Sequence, residues 1–119
     1  MSHQFNGNHI LVEFYGVRPE RHNRDELQTC LITCCRQAKV TMLKFDYVIF
    51  DNGGYTAYAL LAESHISIHT YPEYGSIFLD VFTCGNADTW HIVDALAEFY
   101  QPEKQSRQCI ERGIKKSNN

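Results

Sequence analysis

The chain has 119 residues, enough for one domain and too few for two of ordinary size. Its 44% hydrophobic and 13% aromatic content supports a packed core rather than a disordered chain. Eleven Lys plus Arg against fourteen Asp plus Glu give a net charge of −3, and the scattered basic residues form no patch for a run of phosphates, so nucleic acid is not an expected partner.

In chain order, His9–Tyr15 alternates well enough to predict a strand, and Gly16–Asn23 reads as a connection. From Arg24 the apolar spacing lengthens through Leu27, Leu31, Cys34 or Cys35, and Ala38, which predicts a helix to about Lys39. Asn23 is its expected N-cap, with Asp25 and Glu26 in the first turn, where negative charge suits the helix dipole. Val40–Phe50 is rich in β-branched and aromatic residues, Asp51-Asn52-Gly53-Gly54 is a turn signal, and Tyr55–Ala62 completes a hairpin. His65–Thr70 alternates, Tyr71–Gly75 turns the chain, and Ser76–Cys84 is another strand.

Asp88–Tyr100 is an amphipathic helix with Asp88 or Asn86 near its start and Pro102 just past its end. Gln105–Glu111 is the final strand, and Lys115–Asn119 is expected to fray. The order read is β-α-β-β-β-α-β, counting the last long β stretch before the second helix as one bent strand. Antiparallel strands with two helices make an α+β two-layer sandwich. With both helices on one sheet face, the other face must be solvated or docked on a second subunit. A chain of this size buries only about two-thirds of its surface, so a partner subunit would help.

No apolar run is long enough to span a bilayer, and Met1–Gly7 lacks signal-peptide features. The five cysteines are odd in number and show no Cys-x-x-Cys spacing, against a secreted disulfide framework or a structural zinc site. A cytoplasmic chain with free thiols is expected. Cys30, Cys34 and Cys35 read as packing residues on one helix, Cys109 similarly on its strand, His91 as the exposed shoulder of a helix, and His3 and His22 as loop residues.

The most informative stretch is Ala62–Glu73. On a strand, His65, Ser67, His69 and Tyr71 share one face while Ile66 and Ile68 share the other. A solvated face would accommodate four polar or amphipathic groups in a row. As a metal site the pattern fails, because His65 and His69 lie about 13 Å apart at roughly 3.3 Å per residue and cannot share one zinc; no metal is expected. Ser64 or Ser67 could act as a nucleophile beside a histidine, although the Gly-x-Ser-x-Gly elbow is absent. A serine hydroxyl can also attack the carbonyl that precedes it, giving an ester whose elimination breaks the chain and leaves a pyruvoyl group.

Glu63-Ser64-His65-Ile66-Ser67-Ile68-His69-Thr70-Tyr71-Pro72-Glu73, followed by Asp80-Val81-Phe82-Thr83-Cys84-Gly85, resembles the prokaryotic S-adenosylmethionine decarboxylase proenzymes. His9–Tyr15 near the start and Ile110–Gly113 near the end resemble that family as well, so the similarity runs over nearly the whole chain. The resemblance implies autocleavage between Glu63 and Ser64, giving a β chain of residues 1–63 and an α chain of residues 64–119 that begins with a pyruvoyl group derived from Ser64. It assigns His69 to processing and Cys84 to proton donation in the decarboxylation. Both roles suit the groups, since imidazole titrates near neutrality and a thiol can hold its proton there. In the implied reaction the substrate amine forms a Schiff base with the pyruvoyl ketone, and no pyridoxal phosphate is needed.

The resemblance also places Phe50 and Tyr71 against the adenine and Glu73 near the ribose or the cation, in keeping with stacking and cation–π attraction. Without it, Phe50 would read as core, Tyr71 and Glu73 as turn residues, and Cys84 as a small buried hydrophobe. Two departures stand out. Tyr71 occurs where relatives often have Trp, and Thr56 where some have a processing serine. Threonine can make a similar hydrogen bond, with a rotamer restricted by its methyl group. Family architecture implies an αββ-type sandwich, a homodimer whose sheets meet, and a product that donates aminopropyl groups in spermidine synthesis. The alternatives are a pyruvoyl-dependent decarboxylase of arginine or ornithine, and a non-catalytic binding or regulatory homologue.

Overall fold

The computed structural model describes residues 5–113. The expected tail at Lys115–Asn119, and His3, lie outside them. Strand β1 (Asn6–Tyr15) is followed by helix α1 (Leu27–Gln37) and strands β2 (Met42–Ile49), β3 (Tyr55–Leu61), β4 (Ser64–Tyr71) and β5 (Ser76–Cys84). Helix α2 (Thr89–Tyr100) and strand β6 (Lys104–Gly113) complete the order. All six strands join one antiparallel sheet in the order β2-β3-β4-β5-β1-β6.

The stretch from His65 to Cys84 is therefore two strands rather than one bent strand. Pro72 has no N–H to donate and opens a 3-10 turn over Pro72–Tyr74, and Gly75 takes the left-handed conformation (φ 60°) that reverses the chain. Helix α1 also starts later than its spacing suggests. The Asn23 side chain accepts from the Asp25 N–H at 2.8 Å, an Asx turn ahead of the helix, and Glu26 occupies the cap position without a side-chain bond. At α2 the expected cap is present, with the Asp88 carboxylate accepting from the His91 N–H at 3.1 Å.

One face of the sheet is apolar. Ile10, Val12 and Phe14 of β1, Ala57 and Ala59 of β3, Ile66 and Ile68 of β4, and Leu79 and Val81 of β5 are all buried. They pack under Leu27, Leu31, Cys34 and Cys35 of α1 and Ile92, Val93, Leu96 and Tyr100 of α2. Cys109, read as a packing residue, is exposed because β6 is an edge strand whose residues the helices leave largely uncovered. Among the described residues nothing layers over the opposite sheet face, which exposes Leu11, Tyr58, Leu60 and Phe78 beside its polar groups. Among the described residues no helix is long and apolar enough to cross a membrane.

Within the core the Tyr55 and Tyr100 hydroxyls bond each other at 2.8 Å, and burial pushes both pKa values up. Removing one partner strands the other hydroxyl in an apolar core, so Tyr55→Phe should cost about 1–3 kcal/mol in urea denaturation. The double variant Tyr55→Phe/Tyr100→Phe should cost less than the two single changes added together.

Candidate active site

Strands β3 and β4 are joined by two residues, Ala62 and Glu63, with Leu61 opposite Ser64 in the ladder. The Ala62 N–H is held by the Thr41 carbonyl at 2.9 Å. Glu63 has φ 67°, a left-handed conformation that costs a residue with a side chain about 1–2 kcal/mol. At the end of β5, the Cys84 thiol donates to the Glu63 carbonyl oxygen at 3.1 Å. Ser64 is 9% exposed and forms one wall of a cleft of about 370 Å³ with Lys39, Thr41, Glu63, Cys84 and Asn86. This end of the sheet thus unites the predicted cleavage pair with Cys84, which is half-buried and polar in its contact rather than a core hydrophobe. A donor on the Glu63 carbonyl sits where negative charge develops when the following hydroxyl adds to that carbonyl.

The other predicted residues gather at the far end of β4. His69 lies opposite Thr56, and the Thr56 hydroxyl and His69 Nδ1 are 3.2 Å apart. The Tyr71 ring sits 5.1 Å from that of Phe78. Phe50, at the mouth of the β2–β3 turn, is 51% exposed, so it is not a core residue. Glu73 accepts from the Asn52 amide at 3.0 Å, which ties that turn to the one after β4. Phe50, Asn52, Thr56, His69, Tyr71 and Glu73 line a cleft of about 340 Å³. Asn52 was legible in sequence only as a turn residue, because its second contact crosses to a segment 21 positions away.

One chain does not bring these two groups together. Ser64 and His69 are five residues apart on a strand, about 16 Å at roughly 3.3 Å per residue. They also face opposite ways, Ser64 with the buried Ile66 and Ile68 and His69 with His65 and Ser67 on the open face.

Between the two ends lies a cluster that sequence spacing did not reveal. Asp80 Oδ2 lies 2.5 Å from His9 Nε2 and 3.0 Å from His65 Nε2, while Oδ1 accepts from the Ser67 hydroxyl. The Arg112 guanidinium donates to His9 Nδ1 at 3.2 Å. Arginine cannot accept, so His9 Nδ1 carries the lone pair and Nε2–H donates to Asp80. Burial pushes the Asp80 carboxyl up, but the hydrogen bonds from Ser67, His9 and His65 and the charge on His65 outweigh it and hold the pKa below the usual aspartate value. His9, His65 and Asp80 offer three ligand atoms within 4.8 Å of one another, a geometry that could hold a divalent cation. The Arg112 contact favours the hydrogen-bonded form, since it keeps a proton on the nitrogen that a metal would need.

At the level of class, this is an α+β sandwich with a hydroxyl, a thiol and an imidazole set along neighbouring strands of one sheet. A family model described as S-adenosylmethionine decarboxylase matches residues 8–113, and the chain belongs to that family. The S-adenosylmethionine decarboxylase proenzyme of Archaeoglobus fulgidus is 38% identical over 111 residues, covering 90% of this chain and 97% of its own. The proenzyme of Aquifex aeolicus is 37% identical over 110 residues, covering 91% and 82%. The crystal structure of the adenosylmethionine decarboxylase from Aquifex aeolicus superposes with a TM-score of 0.82 at 34% identity, covering 97% of this chain and 96% of that one.

The Asp80 cluster has a measurable signature. A carboxyl held below its ordinary value binds its proton more weakly folded than unfolded, so its contribution to stability is complete above the ordinary value of about 3.9 and is lost as pH falls through the lower folded value. Asp80→Asn should be less stable than the parent at neutral pH and lose less on acidification, read as urea midpoints across an acid series.

Proposed function

We propose that the chain is a proenzyme that cuts its own backbone between Glu63 and Ser64 and then decarboxylates S-adenosylmethionine, giving the aminopropyl donor for spermidine synthesis. The observation that carries the cleavage step is the Cys84 thiol on the Glu63 carbonyl, beside Ser64 at a turn in a strained conformation. The Ser64 hydroxyl adds to that carbonyl, the C–N bond breaks, and an ester replaces the amide with the Ser64 nitrogen as the new amine. A base then takes the Ser64 α-proton, the ester oxygen leaves as the Glu63 carboxylate, and water releases the nitrogen as ammonia. His69 is the base we assign, and Cys84 is the acid that returns a proton to the substrate carbon.

The buried serine, the donor on its preceding carbonyl and the adjoining cleft fit the formation of a pyruvoyl group at position 64. Once formed, that group supplies an electron-withdrawing ketone for a substrate amine, which is the hard part of the decarboxylation. The remaining work belongs to side chains. Phe50 and Tyr71 offer aromatic faces to an adenine and a sulfonium, and Glu73 offers a carboxylate beside them.

His69 reaches residue 64 only if it comes from a second copy. The uncovered sheet face, with Leu11, Tyr58, Leu60 and Phe78 among its polar groups, suits a second sheet, and a two-fold pairing presents both ends of β4 twice. The functional unit we assign is a homodimer of cleaved protomers, each active site taking Ser64 and Cys84 from one copy and His69, Phe50, Tyr71 and Glu73 from the other.

Denatured intact mass is the test of cleavage. Two fragments split at Glu63–Ser64 are expected, the C-terminal one about 17 Da lighter than a hydrolytic product because ammonia has been lost. Ser64→Ala should stay whole, and His69→Ala and Cys84→Ala should process about 100-fold more slowly or worse. Co-expressing Ser64→Ala with His69→Ala should restore cleavage of the His69→Ala chain, because one mixed site then holds both intact groups. An uncut parent chain defeats the enzyme reading, and mixed variants that stay inert defeat the shared site.

A further inference from the structure

Cleavage at Glu63–Ser64 creates a difficulty that the sheet must solve. Before the cut, residue 64 is tethered by a two-residue turn to Leu61 on β3; afterwards it is a chain terminus, and strand ends fray unless something ties them down. The group that must meet the substrate sits on that terminus. Its position then depends on the residues just behind it. Ile66 is fully buried and secures the helix-facing side of β4. On the open side, His65 bonds Asp80 on the neighbouring strand at 3.0 Å.

We propose that His65 and Asp80 form a clamp that holds the new N-terminal end of β4 in place once the chain is cut, an inference that rests on the self-cleavage reading above. Asp80 is suited to be the fixed half. Strand β5 lies inside the sheet, paired with β4 on one side and β1 on the other, so its backbone is held along both edges. The carboxylate is oriented from three directions: Ser67 donates to one oxygen, and His9 and His65 approach the other. His9 is itself set by Arg112, which fixes the ring nitrogen that donates.

The Phe82 ring lies between the two histidines in the ladder, opposite both His9 and His65, at 5.5 Å and 5.9 Å from them. It limits how far either ring can swing. The cluster also spans the cut, since His9 belongs to the N-terminal fragment while His65, Ser67, Asp80 and Arg112 belong to the C-terminal one. His65 is in this account a positioning residue, acting through the backbone of residue 64 rather than on substrate.

The test uses fully processed protein and compares His65→Ala, His65→Gln and Asp80→Asn with the parent. Hydrogen exchange of the peptide beginning at residue 64 reads the clamp directly, and steady-state kinetics read its consequence. His65→Ala should still be cut, with exchange at the start of β4 faster by roughly tenfold or more and kcat lower by a similar factor, while KM changes less than about twofold. His65→Gln places an amide N–H within reach of the same carboxylate and should recover most of both losses. Asp80→Asn should resemble His65→Ala, and it serves as the second variant if His65→Ala does not fold.

Parent-like exchange and kcat in His65→Ala and Asp80→Asn would overturn the proposal, as would a loss that His65→Gln does not rescue. Loosening of the parent by EDTA to the same degree would overturn it too, because a bound divalent cation and not the direct bond would then be the tie. A parent chain that is never cut removes the reading beneath the clamp, an outcome visible by mass before any variant is compared.

Discussion

The alternation of side chains along β4 is the constraint on which the rest depends. Successive residues point to opposite faces, so Ser64, Ile66, Ile68 and Thr70 turn toward the helices while His65, Ser67, His69 and Tyr71 turn away. The apolar half fixes the strand in the core, and the polar half is displayed as a row. A slip of one residue against β3 or β5 would exchange the two sets, burying two imidazoles and exposing two isoleucines. Both flanking ladders hold the same register, His69 opposite Thr56 on one side and Ser67 opposite Asp80 on the other, so the chemistry is aligned by the packing of the core.

On the proposed assignment of Ser64 and His69 to one site, the same alternation keeps a single chain from completing it. A strand cannot bend residue 64 back onto residue 69, and the face difference adds to the separation. The pairing of uncovered sheet faces proposed above is favourable on energetic grounds as well. Fully burying an exposed large apolar side chain contributes on the order of 1.5–3 kcal/mol; Leu11, Tyr58, Leu60 and Phe78, already more than half buried in the single chain, would each add less than half of that on being covered. A two-fold contact of the kind proposed would use every such residue twice and so offset the small core of a chain this short.

Much of this arrangement was legible in the residues. Period-two patterns locate the strands, and Ser67 and His69 mark the polar face of β4 in the sequence itself. The resemblance then joined Glu63, Ser64 and Cys84, whose hydrogen bond spans 21 positions and leaves no local trace. Sheet order was the larger gap. Nothing in His9 or Asp80 announces that β1 will insert between β5 and β6, yet that insertion brings His9 within hydrogen-bond reach of Asp80, 71 residues away. The start of α1 departs from its spacing for a local reason: Asn23 is a good cap by type, but its side chain closes a turn onto Asp25 before the helix begins. Cys109 is exposed against expectation because burial depends on whether a strand lies at the edge, which its own pattern does not state.

Strain at Glu63 invites the view that the turn is spring-loaded, but the magnitudes argue otherwise. A left-handed residue with a side chain stores about 1–2 kcal/mol, worth at most some thirtyfold if all of it were released on the way to the transition state. Uncatalysed amide rearrangement needs far more than that. In the proposed cleavage the turn's larger contribution is geometric: it presents the carbonyl of residue 63 to the Cys84 thiol with Ser64 next in the chain, so nucleophile and electrophile would be covalent neighbours and no entropy would be spent bringing them together. A glycine at position 63 would remove the strain and also widen the range of turn conformations. Glutamate has fewer turn conformations open to it than glycine, and at position 63 it is held in the left-handed one between paired strands. Under the self-cleavage reading the strain is the cost of aiming the carbonyl at its donor, and its release alone would supply no more than that thirtyfold.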